Sequence, residues 1–435
     1  MSANKPHQKV QRTSNKKYTL KKAITHIKVD PSNPNKLEKL DRLAEEYMRV
    51  AQLFCDDLIA NDARTPDKNA NLLDVQTELS ARWQRTAWRQ ACGIVQSWFS
   101  NERTHPPVLT NISIQANPNV AELQQSTTGT FDYWIKLATL DKGCPVYLPV
   151  KLYRKAAETI QKYPCLFNGV TLNRLHGEWY LTLVVGKENL KGAYGEVIGI
   201  DIGMRSMLVT SEPHQYGQIS GQVRQRVERS RQKFAGKQKL NACLVKKGLA
   251  PVSLFDGRTE RFVRNQAGRA INQMLAELPE GTAIAMERLS VKDMRFKSRA
   301  MNRWMKASQL GYVADRIQNK LDFAGIRYRS VQAAYSSQQC SECGFVDKNN
   351  RRDQEHFVCL HCGFTANADE NAARNIAKRF GDDELNRCSF PKVKELLESR
   401  FQANNLPVAR SATAGREPIA DYGQSVQFNA VYIWQ

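Results

Sequence analysis

Two Cys-x-x-Cys knuckles, Cys340/Cys343 and Cys359/Cys362, stand fifteen residues apart in the last third of the chain. Each knuckle turns two thiolates toward one point, and a pair of them across a short hairpin completes a tetrahedral sulfur cage. Four sulfurs leave no open coordination position, so the spacing predicts one structural Zn²⁺ rather than a catalytic one. Gly344 and Gly363 follow the knuckles, where tight turns are needed. Two disulfides are the competing reading, but adjacent CxxC pairs in a chain without a secretory signal favour metal. The other six cysteines (Cys55, Cys92, Cys144, Cys165, Cys243, Cys388) show no pairing pattern, as expected of reduced thiols in a cytoplasm.

Seven residues after the last cysteine, Asp369 opens a short helical run in which Ala368, Ala372 and Ile376 recur at one face. An acid in a first helical turn is usually a cap, favoured there by the helix dipole. Two other acids give it a different meaning. Val197–Ile200 is an apolar strand that delivers Asp201, followed by Gly203 and a second strand, Ser206–Thr210, which is how ribonuclease-H-like folds present a first metal-binding aspartate. Thr282–Met286 is a second buried strand, and it ends on Glu287, a charge that is costly to bury without a partner or metal. Three carboxylates converging at one end of a mixed sheet suit phosphodiester hydrolysis with two Mg²⁺ ions, hard cations that prefer oxygen ligands.

The formal net charge is +21, with a pI near 9.6, and no apolar run approaches a membrane span. An anionic polymer, most simply nucleic acid, is the expected partner of such a surface. Gln222 to Gly248 is a predicted helix with nine Lys/Arg against the single acid Glu228, and Arg288 to Lys306 is basic again, with Phe296 and Trp304 interleaved. The first 31 residues form a basic arm (Lys5, Arg12 and Lys16 among its cations) ending in the strand-like ITHIKV. Asn33-Pro34 opens a helix, a second runs from about Leu72 to Phe99, and short β-rich runs follow from Thr128 to Lys187. RYRSVQAAY reads as a strand leading into the knuckles, and the segment after Phe380 is near-neutral, with a helix at Val393 to Phe401.

The series GIDIG, then ME, then YSSQQCSECG…FVCLHCG…NADENAARNI resembles the split RuvC nuclease of the TnpB family, transposon-associated RNA-guided nucleases related to compact type V CRISPR effectors. The match runs from about Gly195 to Arg379, with a serine pair at 336 and 337 where the family has a Thr-Ser-Gln-like lead-in. The resemblance implies an α+β multidomain protein. Residues 1–31 and 128–192 would form a β-barrel wedge domain, 32–127 a helical recognition insert, and 193–335 with 367–380 an RNase H-like RuvC nuclease domain. Residues 336–366 would be a zinc ribbon binding target nucleic acid, and 381–435 a partly disordered tail.

Carried over residue by residue, Asp201, Glu287 and Asp369 match the catalytic Mg²⁺-binding acids, and Cys340, Cys343, Cys359 and Cys362 the zinc ligands. The resemblance further implies a guide RNA of the omega-RNA type and a double-stranded DNA target cut beside a short motif; the setting expected is cytoplasmic, and the sequence leaves the oligomeric state open, with a monomer favoured. A CRISPR effector, a guided DNA-binding repressor that does not cut, and a strand-joining transposase are the competing readings. All three acids are present, which favours cutting.

Overall fold

The computed structural model describes residues 7–9, 17–29, 33–101, 105–127, 129–167, 169–252, 257–289, 298–353 and 355–405. The chain divides into two units, residues 1–194 with 317–327, and residues 195–316 with 328–435.

The first unit is built on a nine-stranded antiparallel, nearly closed barrel-like sheet. Its strands are β1 (His7–Lys9), β2 (Leu20–Val29), β3 (Ser113–Ala116), β4 (Ala121–Ser126), β5 (Tyr133–Leu137), β6 (Val146–Val150), β7 (Cys165–Leu166), β8 (Val170–Leu175) and β9 (Glu178–Lys187). The order is β1-β4-β5-β6-β2-β9-β8-β3, with β7 beside β9. Helices α1 (Pro34–Ala60) and α2 (Ala81–Ser100) fall between β2 and β3, and α3 (Arg154–Lys162) follows β6. Asn33 caps α1 by accepting from the Asn35 amide at 2.9 Å, with Pro34 in the first turn where its missing N–H costs nothing. The two long helices meet through edge-to-face pairs, Tyr47 on Trp83 and Phe54 on Trp88, so these aromatics are core rather than base-stacking platforms.

Three expectations need correction in this unit and at the knuckle lead-in. The helical insert does not extend to residue 127, because β3 and β4 belong to the sheet; Ile114, Ala116, Ala121 and Leu123 face inward from strands whose Ser, Gln and Glu residues disguise them. The second helix starts at Ala81 rather than Leu72, since the Ser80 hydroxyl accepts from the Trp83 amide and ends the extended lead-in. RYRSVQAAY is a strand only over Tyr328–Val331; the carbonyls of Gln332 and Ala334 are taken by the Arg379 guanidinium instead of a neighbouring strand.

The second unit carries a five-stranded sheet ordered β12-β11-β10-β13-β14. Strands β10 (Glu196–Asp201), β11 (Ser206–Thr210) and β12 (Gln215–Gln218) form an antiparallel meander. Strands β13 (Thr282–Glu287) and β14 (Tyr328–Val331) are parallel to β10 and reached by crossovers. Helices α4 (Ser220–Lys246), α5 (Arg258–Glu277), α6 (Arg299–Ser308) and α7 (Leu310–Ala324) intervene, the last residues of α7 grouping with the first unit. Along α4 only Val223 is buried, so eight of the nine predicted cations and Glu228 lie on a helix with almost no core face, and the ninth, Lys247, stands at its C-cap.

The hairpin β15 (His356–Val358) and β16 (Thr365–Asn367) leads into α8 (Ala368–Lys378), followed by α9 (Asp383–Arg387) and α10 (Phe390–Asn405). The segment from 381 to 405 is therefore helical and packed: Val393 and Leu397 of α10 bury against Val346 and Leu385. The rest of the predicted tail, 406–435, lies outside the described residues, as do Lys5, Arg12, Lys16 and the 290–297 stretch with Phe296. Among the described residues no helix is long and apolar enough to cross a membrane.

Candidate nuclease site and zinc ribbon

Backbone register alone places two of the acids side by side. β10 and β13 pair in parallel with Ile200 opposite Met286, so the next residues, Asp201 and Glu287, end adjacent strands at the same edge. Alternation along a strand puts Gly199 and Asp201 on one face and Ala285 and Glu287 on one face. That face is covered by α8: Ala285 clusters with Ile376, and a Cβ added to Gly199 would stand 1.9 Å from the Ala373 carbonyl oxygen. Asp369 precedes Ala373 by one helical turn, which lifts its carboxylate to the edge where the strand acids emerge. The three acids then line one cavity of about 230 Å³, together with Gly203, Arg205, Trp304, Met305 and Arg351.

Electrostatics within the cavity are strained. Both strand acids retain some solvent contact, yet surrounding protein makes burial the main cause that raises their pKa values. For Asp201 the charge of Asp369 adds to burial while Arg351 opposes it. For Glu287 the charges of Asp201 and Asp369 add to burial, and the Ile202 amide opposes it by donating to Oε1 at 3.2 Å. Asp369 is paired: Arg351 Nη2 donates to its Oδ1 at 2.9 Å. Sequence reasoning did not single out Arg351, which sits in the hairpin between the knuckles with no motif of its own. Arg205 lines the same cavity, and its guanidinium pairs with Glu355.

The knuckles are two copies of one turn. Cys340 N donates to Phe345 O and Cys359 N to Phe364 O, both at 2.8 Å. Gly344 N donates to Cys340 O and Gly363 N to Cys359 O, both at 3.0 Å, at glycines with φ of +83° and +74°. The four Sγ atoms lie within 4.8 Å of one another, with Cys340–Cys362 at 3.8 Å and Cys343–Cys359 at 3.6 Å. Sulfurs about 2.3 Å from a central tetrahedral ion stand about 3.8 Å apart, so the cage fits Zn²⁺. Burial raises the Cys340 and Cys343 thiols, which suits ligands that ionise only against a metal. Among the described residues this is the one group of three or more His, Cys or acidic side chains whose ligand atoms close to that distance. The three carboxylates share their cavity without converging on a single point.

A polar seam fixes the ribbon to α8, and sequence reading missed it. Asn371 Oδ1 accepts from Ser341 N at 2.9 Å, Asn375 Nδ2 donates to Ser336 O and Gln339 O at 2.9 and 2.7 Å, and Arg379 reaches Gln332 O, Ala334 O and Gln339 Oε1. All three side chains are buried. Their spacing of i, i+4, i+8 was legible, running beside the Ala368/Ala372/Ile376 stripe on the same helix.

Parts of this chain are similar to known proteins. The family description "Cas12f1-like, TNB domain" matches residues 311–376, which contain both knuckles and Asp369. The CRISPR-associated endodeoxyribonuclease Cas12f1 of Sulfoacidibacillus thermotolerans is 29% identical over 217 residues, 46% of this chain and 50% of that protein. The putative RNA-guided DNA endonuclease InsQ of Escherichia coli K12 is 26% identical over 225 residues, 48% of this chain and 55% of that one. The chain thus spans about half the length of the curated relatives it matches. Among solved structures, a Cas12f1–sgRNA–target DNA complex aligns over 79% of this chain and 83% of its own, at 14% identity and a TM-score of 0.46.

Fold and site define a mixed α/β protein with a three-carboxylate cavity and a Cys₄ ribbon that could bind zinc. The chain is similar to Cas12f1 and InsQ over about half its length, and to the Cas12f1-like TNB domain over residues 311–376.

Proposed function

We propose that this protein is an RNA-guided DNA endonuclease of a transposon, cutting target DNA beside a short motif at a single RuvC-type site. The observation that carries it is the meeting of Asp201, Glu287 and Asp369, from strands and a helix 86 and 82 positions apart, in one cavity. An antiparallel meander continued by two parallel strands supports an RNase H-like reading of the second unit. The relatives' printed functions, RNA-guided DNA endonuclease and CRISPR-associated endodeoxyribonuclease, support the substrate class.

Three hard oxygen donors, two of them with pKa values raised by burial and mutual repulsion, fit Mg²⁺ rather than a soft metal. Asp201, Glu287 and Asp369 would hold the ions, which when bound activate the attacking water and stabilise the departing 3′ oxygen. The chain's own contribution is to orient the acids. Ile202 N–H fixes Glu287, the Asn367 carboxamide caps α8 beneath Asp369, and Arg351 steadies Asp369 while bringing a positive charge to the place where the phosphodiester's negative charge grows.

Under this reading the ribbon would bind target nucleic acid, the first unit would act as wedge and recognition lobes, and the basic α4 would face RNA or DNA phosphates. Guide pairing would read sequence while the protein reads shape and a short duplex motif. The test is to purify the protein from cells carrying its native flanking DNA and sequence the RNA that comes with it. One dominant RNA ending in a variable segment, and Mg²⁺-dependent cleavage of DNA matching that segment, are expected. Heterogeneous or absent RNA overturns the guided reading, and binding without cleavage leaves a guided repressor. A repeat array in the flanking DNA, in place of transposon ends, would make it a CRISPR effector.

A further inference from the structure

Two arginines line the carboxylate cavity, and they are held in opposite ways. Arg351 is committed to a member of the acid triad, with both partners largely shielded: side-chain exposure is 27% for Arg351 and 22% for Asp369. Arg205 stands four residues after Asp201, in the turn between β10 and β11. That turn is tight, since a Cβ at Gly203 would meet Ser206 O at 2.7 Å and Gly203 N donates to Met207 O at 3.3 Å. The turn therefore fixes the base of the Arg205 side chain at the cavity rim. Its guanidinium pairs with none of Asp201, Glu287 and Asp369; it pairs with Glu355, just ahead of β15, at 47% and 53% exposure.

An ion pair that open to water contributes little net stability and is easily exchanged. The backbone of Glu355 is anchored independently of the pair, its amide donating to Asp353 Oδ1 at 2.7 Å and its carbonyl accepting from Ala368 N at 2.9 Å. Losing Arg205 therefore costs the hairpin no backbone contact. A phosphodiester entering a cavity lined by three carboxylates needs a cation that is not already spent on one of them, and a guanidinium can bind its two free oxygens as a fork.

We propose that Arg205 is a substrate-contacting residue that leaves Glu355 to grip a phosphate of the strand lying in the cavity, with Glu355 its resting partner. This rests on the nuclease reading above, and it assigns a role to a residue that no catalytic motif marks.

The test compares wild type, R205A, R205K and E355Q as full chains loaded with guide RNA, in single-turnover cleavage at saturating duplex, alongside thermal melting. We expect R205A to slow cleavage by about 10²-fold with its melting midpoint unchanged, and R205K to recover only part of the loss, since an ammonium keeps the charge but not the two-pronged grip. E355Q should cut at least as fast as wild type, because only the competitor for Arg205 is removed. The salt dependence of DNA binding should flatten by about one in slope for R205A. If R205A and E355Q lose activity equally and melt earlier together, the pair is only a tie between hairpin and sheet, and the inference is overturned. If R205A cuts like a cutting wild type, the inference falls alone; if wild type itself does not cut with Mg²⁺ and guide, the nuclease reading falls and takes this one with it.

Discussion

Gly199 and Ala373 bring helix α8 and strand β10 into backbone contact: a methyl group on Gly199 would lie 1.9 Å from the Ala373 carbonyl oxygen and 2.6 Å from the Ala377 amide. Both elements carry a site acid a short step away, Asp201 two residues along the strand and Asp369 one turn up the helix. The closeness of that crossing sets the separation of the two carboxylates.

Gly199→Ala should therefore push α8 off the sheet. Overpacking of a close backbone contact costs about 1–3 kcal/mol or more, seen as a lowered midpoint in chemical denaturation. Cleavage should fall further than stability, since Asp369 moves with the helix. An unchanged midpoint would mean that α8 does not pack on β10 as described.

Asp201→Asn keeps the shape of the site and removes one negative charge. Cleavage should drop by at least about 10²-fold, while guide-dependent DNA binding in a gel-shift or filter assay stays within about twofold of wild type. Parallel loss of binding would point to a folding role for Asp201.

Chelation of the ribbon should be felt at the acids. Structural zinc contributes about 10–16 kcal/mol of binding free energy in small zinc-finger peptides, and the ribbon's own core is small: Cys340, Phe357, Cys359 and Ala368 are buried, with Cys343, Phe345 and Phe364 packed against them. Cys343→Ser should lower zinc content measured by plasma emission, open the 336–366 segment to protease and abolish cleavage, because Arg351 and the start of α8 lose their support. Full zinc retention by Cys343→Ser would remove Cys343 from the ligand set.

Glu46 gives the first unit a defined acid sensitivity. The Arg49 hydrogen bonds are the main cause that lowers its pKa to about 2; burial opposes them, and the Thr77 hydroxyl and Glu78 amide add to them. A depressed carboxylate stabilises the fold fully above its unfolded pKa of about 4.3 and loses that contribution as the pH falls toward the folded value. The melting midpoint should drop between about pH 4 and pH 2, and Glu46→Gln should remove part of that slope. An identical pH profile for the variant would show that Glu46 is not differentially ionised.

Asn375→Ala leaves the carbonyl of Ser336 without the amide it accepts from, whereas the Gln339 carbonyl keeps a second donor in Asn371 Nδ2. A loss of about 1–3 kcal/mol follows from the one unsatisfied buried group, read in denaturation, with the lead-in to Cys340 becoming protease-sensitive first. Protection equal to wild type would mean that other contacts hold that lead-in.

Local pattern was enough to find what depends on neighbours in sequence. The knuckles, the strands ending on Asp201 and Glu287, and the helix opening at Ala368 are each written in fewer than ten consecutive residues, because thiolate pairs, apolar alternation and capping act over that range. Polar strands such as Ser113–Ala116 were not legible, since pairing with β8 rather than their own propensity makes them strands. The pairings across the site belong to the tertiary structure alone. Nothing in the sequence ties Arg351 to Asp369, Arg205 to Glu355 or Gly199 to Ala373. Each depends on how strand register and helix packing bring distant segments within a few ångströms, and Coulomb and steric forces at that range decide the charge state and spacing of the acids.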